Sequence, residues 1–162
     1  MSRPYHFAIA IAVLLAGVPR AEAQQAAPPA ASAPRALLID SLTWVDNPAI
    51  PKGGQIAVLL GSLSSEGPYA FRVRFPPRYR IMPHTHPEDR MYTVIEGMWV
   101  IGIGETFDTA KLTAYPPGTV YFLPAGTPHF HGSGAGGSIA QINAVGPTAT
   151  VYVRPEDDPR GR

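Results

Sequence analysis

Cysteine is absent from this sequence of 162 residues. No disulfide can therefore stabilise the fold, and a metal site in it would have only nitrogen and oxygen ligands. An excess of either charge is also missing, because 13 basic and 12 acidic residues give a formal net charge of +1. Nucleic-acid binding needs a concentrated positive field, so the composition argues against a nucleic-acid partner.

Residues 1–23 have the pattern of a signal peptide. Arg3 supplies a positive charge, residues 7–18 form an apolar run, and the small-x-small sequence of residues 21–23 predicts cleavage before Gln24. The apolar run is short for a transmembrane span, and an uncleaved anchor is the alternative interpretation. Cleavage predicts a periplasmic or secreted protein with no membrane association afterwards.

The rest of the chain divides into a leader and one domain. Residues 24–36 are rich in Ala and Pro and cannot bury enough apolar surface to order themselves, so they are predicted to be a flexible leader. Residues 37–162 are predicted to form one globular domain. Cleavage after residue 23 leaves 11 basic and 11 acidic residues, so the mature protein would be formally neutral.

The second half of the chain has no long helical pattern, and the sequence is rich in turn-formers, with 19 prolines and 16 glycines. This composition favours many short strands joined by turns. The alternation of apolar and basic residues over 69–75 is typical of a strand, and Glu96-Gly97 predicts a hairpin between two others. The predicted strands cover residues 56–60, 69–75, 79–86, 91–95, 98–103, 111–114, 119–123, 129–131, 139–144 and 148–154. Their number and spacing predict an all-β sandwich or barrel.

Four histidines follow the predicted signal peptide, and they form two pairs: His84 with His86, and His129 with His131. Residues i and i+2 of a strand point to the same face, so each pair can direct two imidazoles to one point. Two such strands facing inward would gather three or four imidazoles, which are common ligands of transition metals. Surface or hydrogen-bonded histidines are the alternative, but both pairs lie beside Pro/Gly turns, which favours a metal site.

The spacing around these pairs resembles the two motifs of a known family. His84-Thr-His86, followed eleven residues later by Gly97, resembles the first cupin motif, and Gly118-TVYFL-Pro124-Ala-Gly126-TP-His129 resembles the second. The resemblance extends over residues 44–160 and is to the small exported cupins. It implies an all-β single-domain cupin, a double-stranded β-helix or jelly-roll barrel, with metal ligands at His84, His86 and His129.

Two positions depart from the family pattern. Arg90 stands where the first motif has a glutamate, and Ser133 stands where the second has an asparagine. A cation cannot ligate a metal and would weaken metal binding unless a carboxylate pairs with it. Arg90 could pair with Glu88 or Glu96 or hold an anionic substrate, while a surface salt bridge is the commonest role of such an arginine.

The fourth metal ligand is therefore open, with two candidates. Glu88 would add a carboxylate suited to Fe(II) or Mn, unless it is a solvated turn residue. His131 would give a four-histidine site suited to Zn, Ni or Fe, unless it faces the substrate or supports the other ligands. Either choice predicts a divalent transition metal as the cofactor: Fe(II), Mn, Ni or Zn.

The resemblance implies a metal-dependent enzyme, an oxygenase-like oxidoreductase that acts on a small molecule outside the cytoplasm. The alternative is a non-enzymatic periplasmic module that binds or senses a small molecule, with a structural metal or none. Cupin barrels also dimerise through edge strands, so a homodimer to which residues 37–50 contribute is a further expectation. The pattern assigns no catalytic residue beyond the metal ligands.

Overall fold

Stretches of β-forming residues between Pro and Gly turns fold into nine strands in the computed structural model, which describes residues 34 and 36–161. The predicted signal peptide and nearly all of the predicted leader lie outside the described residues. The strands are β1 (Val45–Asp46), β2 (Gln55–Leu60), β3 (Gly67–Phe75), β4 (Arg80–Thr85), β5 (Arg90–Ile103), β6 (Thr113–Tyr115), β7 (Val120–Leu123), β8 (His129–Gly146) and β9 (Val151–Tyr152). Short 3₁₀ turns occupy Ile39–Ser41, Thr109–Lys111, Pro155–Asp157 and Pro159–Gly161. None of the described helical segments is long and apolar enough to span a membrane.

The two longest strands, β5 and β8, pair antiparallel along almost their whole length, from Arg90 opposite Ala144 to Ile103 opposite His129. The C-terminal half of β8 also pairs with β3, while its N-terminal half pairs with β4. In the same way, the first half of β5 pairs with β7 and the second half with β6. Each long strand thus belongs to two parts of one curled antiparallel sheet, which confirms the predicted all-β jelly-roll barrel.

The predicted hairpin at Glu96-Gly97 is wrong. β5 continues through this dipeptide, which lies opposite Ile139 and Ser138 of β8 between two shifts of register. The two flanking stretches pair with β8 rather than with each other, so the positive φ of Gly97 serves a bulge instead of a turn. Residues 129–131 and 139–144, predicted as separate strands, are likewise parts of the single strand β8.

The ends of the predicted strand pattern also need correction. Within residues 148–154 only β9 is a strand, and the chain then enters a 3₁₀ turn. Of residues 111–114, only the last two belong to a strand, because Lys111 ends a 3₁₀ turn that Asp108 caps through its side chain, which accepts a hydrogen bond from the Ala110 amide. β1 was not anticipated, because two residues are too short to show an alternation.

The interior is filled by alternate side chains of the strands. In β3 the predicted alternation is confirmed, since Tyr69, Phe71, Val73 and Phe75 are all buried. Phe75 stacks on Trp99 of β5 with ring centroids 5.0 Å apart. Burial of these large apolar side chains is the main stabilising contribution. Phe71, Val73 and Phe75 of this inward face border a cavity that His84, His86 and His131 also line.

Among Gly97, Gly118 and Gly136, replacement of Gly97 by alanine is predicted to lower the free energy of unfolding the most. Gly97 has a φ of 65°, and an added Cβ would lie 2.2 Å from the Gly137 carbonyl oxygen. Gly118 has a φ of 88° but open space around it, and Gly136 has open space without a left-handed φ. We expect Gly136→Ala to change the free energy of unfolding by less than about 0.5 kcal/mol, Gly118→Ala to cost about 1 kcal/mol and Gly97→Ala to cost more than about 2 kcal/mol. Urea unfolding of the three variants measures this order, and equal costs at positions 97 and 118 would contradict it.

Candidate metal centre

Three of the predicted ligands converge in the barrel. His84 belongs to β4 and is the register partner of His129 at the start of β8, while His86 lies just beyond the end of β4. One ring nitrogen from each of the three lies within 4.8 Å of the corresponding nitrogens of the other two. All three side chains are buried. The i and i+2 spacing of the first pair and the pairing of β4 with β8 produce this cluster.

The second ring nitrogen of each histidine is bound to the backbone. Nδ1 lies 2.7 Å from the Met82 carbonyl oxygen in His84, 2.7 Å from that of Ala149 in His86, and 3.0 Å from that of Thr127 in His129. A carbonyl oxygen only accepts, so each Nδ1 must carry the proton and donate it. Each Nε2 therefore presents a lone pair, which is the state in which imidazole binds a metal.

The electrostatic environment keeps these imidazoles neutral. Burial lowers the pKa of His129 to about 4. Burial, followed by the charge of Arg90, lowers the pKa of His86 much further, and burial also holds the pKa of His84 well below its ordinary value. Nε2 of His129 is buried and has no hydrogen-bond partner. Three neutral nitrogen donors, one of them an orphaned buried atom, fit a divalent transition metal.

His131 lies beside the three-histidine cluster without joining it. Its ring centroid is 5.0 Å from that of His84, but it also packs 4.9 Å from the Trp99 ring and 5.7 Å from the Phe75 ring. The described cluster of mutually close ligand atoms consists of the other three histidines and does not include it. His131 lines the cavity, and its Nδ1 is buried without a partner. The structure thus places it next to the cluster, among aromatic side chains.

Glu88, the other candidate for the fourth ligand, is bound to its own partners. Its Oε1 accepts hydrogen bonds from Tyr69 Oη at 2.6 Å, Thr148 Oγ1 at 2.5 Å and Arg90 Nε at 2.7 Å. Its side chain is only 8% exposed, so it is not a solvated turn residue. It too stands outside the described cluster, and its Oε2 is buried without a partner.

Arg90 points into the site, so the expectation of a surface salt bridge is wrong. Arg90 is the first residue of β5, where it is paired on one side with Leu123 and on the other with Ala144. It is therefore only 6% exposed. Its Nη1 donates to Nε2 of His86 at 2.8 Å, and its Nη2 donates to Thr148 Oγ1. The expected pairing with Glu88 is present and that with Glu96 is absent from the described ion pairs. Arg90 therefore occupies one of the three nitrogen lone pairs that a metal would need.

Two residues of this network were missed in the sequence. Tyr69 and Thr148 approach Glu88 from 19 and 60 positions away along the chain. Neither belongs to a motif, and only the need of a buried Arg–Glu pair for further polar partners could have pointed to such residues. The other departure, Ser133, has a structural role: it donates to the Pro76 carbonyl at 2.5 Å and accepts from the Tyr79 amide at 3.1 Å, which fixes the link between β3 and β4.

A cavity of about 340 Å³ opens onto the centre. Its polar lining includes His84, His86, His131 and Arg90, and Tyr92 also borders it. Most of the remaining wall is apolar, from Ile50, Ile56, Leu63, Phe71, Val73 and Ile142. A pocket of this size and lining suits a small organic molecule with a limited number of polar groups.

The buried pair of Glu88 and Arg90 is predicted to be necessary for stability. Glu88→Gln removes the negative charge but keeps the shape, so it leaves the Arg90 guanidinium buried and uncompensated. We expect a loss of about 3 kcal/mol in the free energy of unfolding, measured by urea denaturation. Glu156→Gln is the control, because that side chain is 67% exposed and lies 3.8 Å from Arg154 Nε, and it should change stability by less than about 0.5 kcal/mol. Similar losses in the two variants would refute the role of the buried pair.

Comparisons with known proteins agree with this architecture. Neither protein-family models nor curated proteins gave a match to the sequence. Among solved structures, the polyketide cyclase RemF from Streptomyces resistomycificus superimposes with a TM-score of 0.64 at 19% identity over 79% of this chain and 91% of its own. An RmlC-like cupin from Shewanella frigidimarina gives 0.53 at 15% identity over 70% and 91%. The Bacillus subtilis oxalate decarboxylase, which has Mn(II) centres, gives 0.53 at 17% identity over 70% of this chain and 30% of its own. The chain therefore shares its fold with these solved structures, one of which is an RmlC-like cupin.

Proposed function

We propose that this protein binds one divalent transition metal through Nε2 of His84, His86 and His129 and is a metal-dependent enzyme. The observation that carries the proposal is that each of the three Nδ1 atoms donates its proton to a different backbone carbonyl. These hydrogen bonds leave a lone pair on each Nε2 and direct the three lone pairs to one place. A site that orients its ligands in this way binds metal more tightly than one with free rings. Imidazole ligands are compatible with Fe(II), Mn, Ni and Zn.

The substrate we propose is a small molecule bound in the cavity beside the histidines. A bound metal would supply a Lewis acid or a redox centre at the polar end of the cavity. The apolar wall would exclude water and orient the substrate, while Arg90 and His131 would contact its polar groups. Within this class we propose an oxygenase-like oxidoreductase, for which the support is the resemblance of the two sequence motifs. The Mn(II) centres of the oxalate decarboxylase support metal chemistry in this fold.

A second candidate function has one specific observation in its favour. The hydrogen bond from Arg90 Nη1 to His86 Nε2 uses the lone pair that a metal would take. A protein that keeps this bond in its working state would be a module that binds or senses a small molecule without a metal at His86. The two candidates therefore differ in whether His86 is a ligand.

Metal content distinguishes the two candidates. We expect the wild-type protein, purified without added metal, to contain close to one equivalent of a transition metal, and the His84→Ala/His86→Ala variant to contain almost none. His131→Leu serves as the matched control and should retain the metal, because its nitrogen lies outside the cluster. Plasma mass spectrometry gives the content, and circular dichroism shows whether each variant is folded. A wild-type content below half an equivalent would favour the metal-free module.

If metal is present, oxygen uptake with small catechols, diketones and thiols tests the oxygenase assignment. Uptake that a chelator abolishes and the same metal restores would support it. If the metal-loaded protein consumes no oxygen with any of these compounds, the oxygenase assignment is wrong. The remaining interpretations are then a metal enzyme of another class or a sensor.

We also propose that the protein acts outside the cytoplasm after cleavage between Ala23 and Gln24. The support is the sequence pattern of residues 1–23. Mass spectrometry of the protein from a periplasmic or secreted fraction should show Gln24 as the first residue. Ala23→Asp should leave the precursor unprocessed, because the small-residue pattern before the cleavage site is broken. Mature protein that begins at Met1 would indicate the uncleaved anchor instead.

A further inference from the structure

Arg90 stands where the related motif has a carboxylate, and this exchange changes the charge that the site presents to its ligand. Three neutral imidazoles do not offset the charge of a divalent ion, and Arg90 adds a positive charge within hydrogen-bond distance of one of them. Among the ion pairs of the described residues, Glu88 is the only carboxylate bound to Arg90, and its Oε1 already accepts from three donors. A metal at these histidines would therefore create a buried centre with an excess of positive charge, which is costly in a largely apolar cavity.

The hydrogen bonds of Arg90 add a second constraint. Nε2 of His86 has a single lone pair in the plane of the ring, so it cannot accept from Arg90 and ligate a metal at the same time. When a metal takes this lone pair, Nη1 of Arg90 loses its acceptor while still buried. The guanidinium cannot readily move away, because Nε is bound to Glu88 and Nη2 to Thr148. A buried charged donor without an acceptor is unfavourable.

One kind of ligand relieves both problems. A carboxylate would accept from the released Nη1 and would offset the excess positive charge, and a guanidinium is well suited to carboxylates. The rest of the cavity is lined mostly by aliphatic and aromatic side chains, so the body of that ligand should be apolar. We propose that the substrate is a small monocarboxylate with an apolar body, and that Arg90 makes the binding of this anion and of the metal mutually dependent. This proposal rests on the proposed metal centre.

Mutual dependence has a measurable consequence that does not require knowledge of the reaction. By linkage, an anion that tightens metal binding is itself bound more tightly by the same factor when metal is present. Ni(II) is titrated calorimetrically into chelator-treated protein with and without saturating benzoate, and benzamide is the neutral compound of the same shape. We expect benzoate to lower the Kd for Ni(II) about tenfold or more, and benzamide to leave it unchanged. Benzoate titrated in the presence and absence of Ni(II) should show the same factor.

A double variant and a control test whether Arg90 causes the effect of benzoate on Ni(II) binding. Arg90→Gln alone would leave Glu88 buried and charged, so the test uses Arg90→Gln/Glu88→Gln, which keeps the side-chain shapes and removes both charges. This double variant should bind Ni(II) without benzoate more tightly than the wild type, because no cation competes for His86, and benzoate should change its Kd less than about twofold. Arg160→Gln is the matched control. Arg160 also lines the cavity, but it is bound to Asp158 and to the Thr150 carbonyl, so the variant should keep the full effect of benzoate.

The outcomes separate this inference from the proposed metal centre. If neither wild type nor double variant binds Ni(II) with or without benzoate, the metal centre fails and the inference fails with it. If both bind Ni(II), but benzoate acts equally on the two or on neither, the metal centre stands and the role of Arg90 in carboxylate binding is refuted.

Discussion

The pairing of β5 with β8 is the constraint on which the rest of the molecule depends. Each of these strands is shared by two parts of the sheet. β8 also pairs with β3 through its C-terminal half and with β4 through its N-terminal half, so it fixes how β3 and β4 lie relative to one another. The ladder between β5 and β8 begins at Arg90 and ends at His129, and both residues belong to the candidate centre. The positions of the histidines therefore follow from a backbone pairing, and side-chain packing only has to select their rotamers.

The hydrogen bonds around the centre show how a buried polar cluster can be kept in one arrangement. Backbone carbonyls take one nitrogen of each ligand histidine, and Glu88 takes hydrogen bonds from Tyr69, Thr148 and Arg90. Of the three partners of Glu88, Tyr69 comes from β3, Arg90 from the start of β5 and Thr148 from the segment after β8. Several buried polar atoms beside these groups have no hydrogen-bond partner, and each of them calls for an explanation. Among these are Nε2 of His129 and Nδ1 of His131, which lie at or next to the proposed metal position.

Arg90 illustrates why the same residue type has different consequences in different tertiary contexts. A single arginine in a polar turn sequence is usually solvated, and its ion pairs contribute little. Here the neighbouring strands on both sides remove it from water, so its charge must be balanced by Glu88 and its N–H groups must find acceptors. Its contact with His86 is then a property of the fold, and it makes the charge of the site different from that of a site with a carboxylate at this position.

The sequence by itself determined the two histidine pairs, the inward face of β3 and the Pro/Gly turns, because all of these depend on alternation or on offsets of a few residues. The sequence also shows that Arg90 replaces the glutamate of the first motif, although it does not show which residues Arg90 contacts. Only the tertiary structure decided that Glu96-Gly97 forms a bulge and not a hairpin, since this depends on which strand pairs with β5. It alone brought Tyr69 and Thr148 to Glu88 and turned Arg90 toward His86. These contacts join residues from separate strands, and no local pattern encodes them, because their free energy arises only when folding excludes water from the groups that meet.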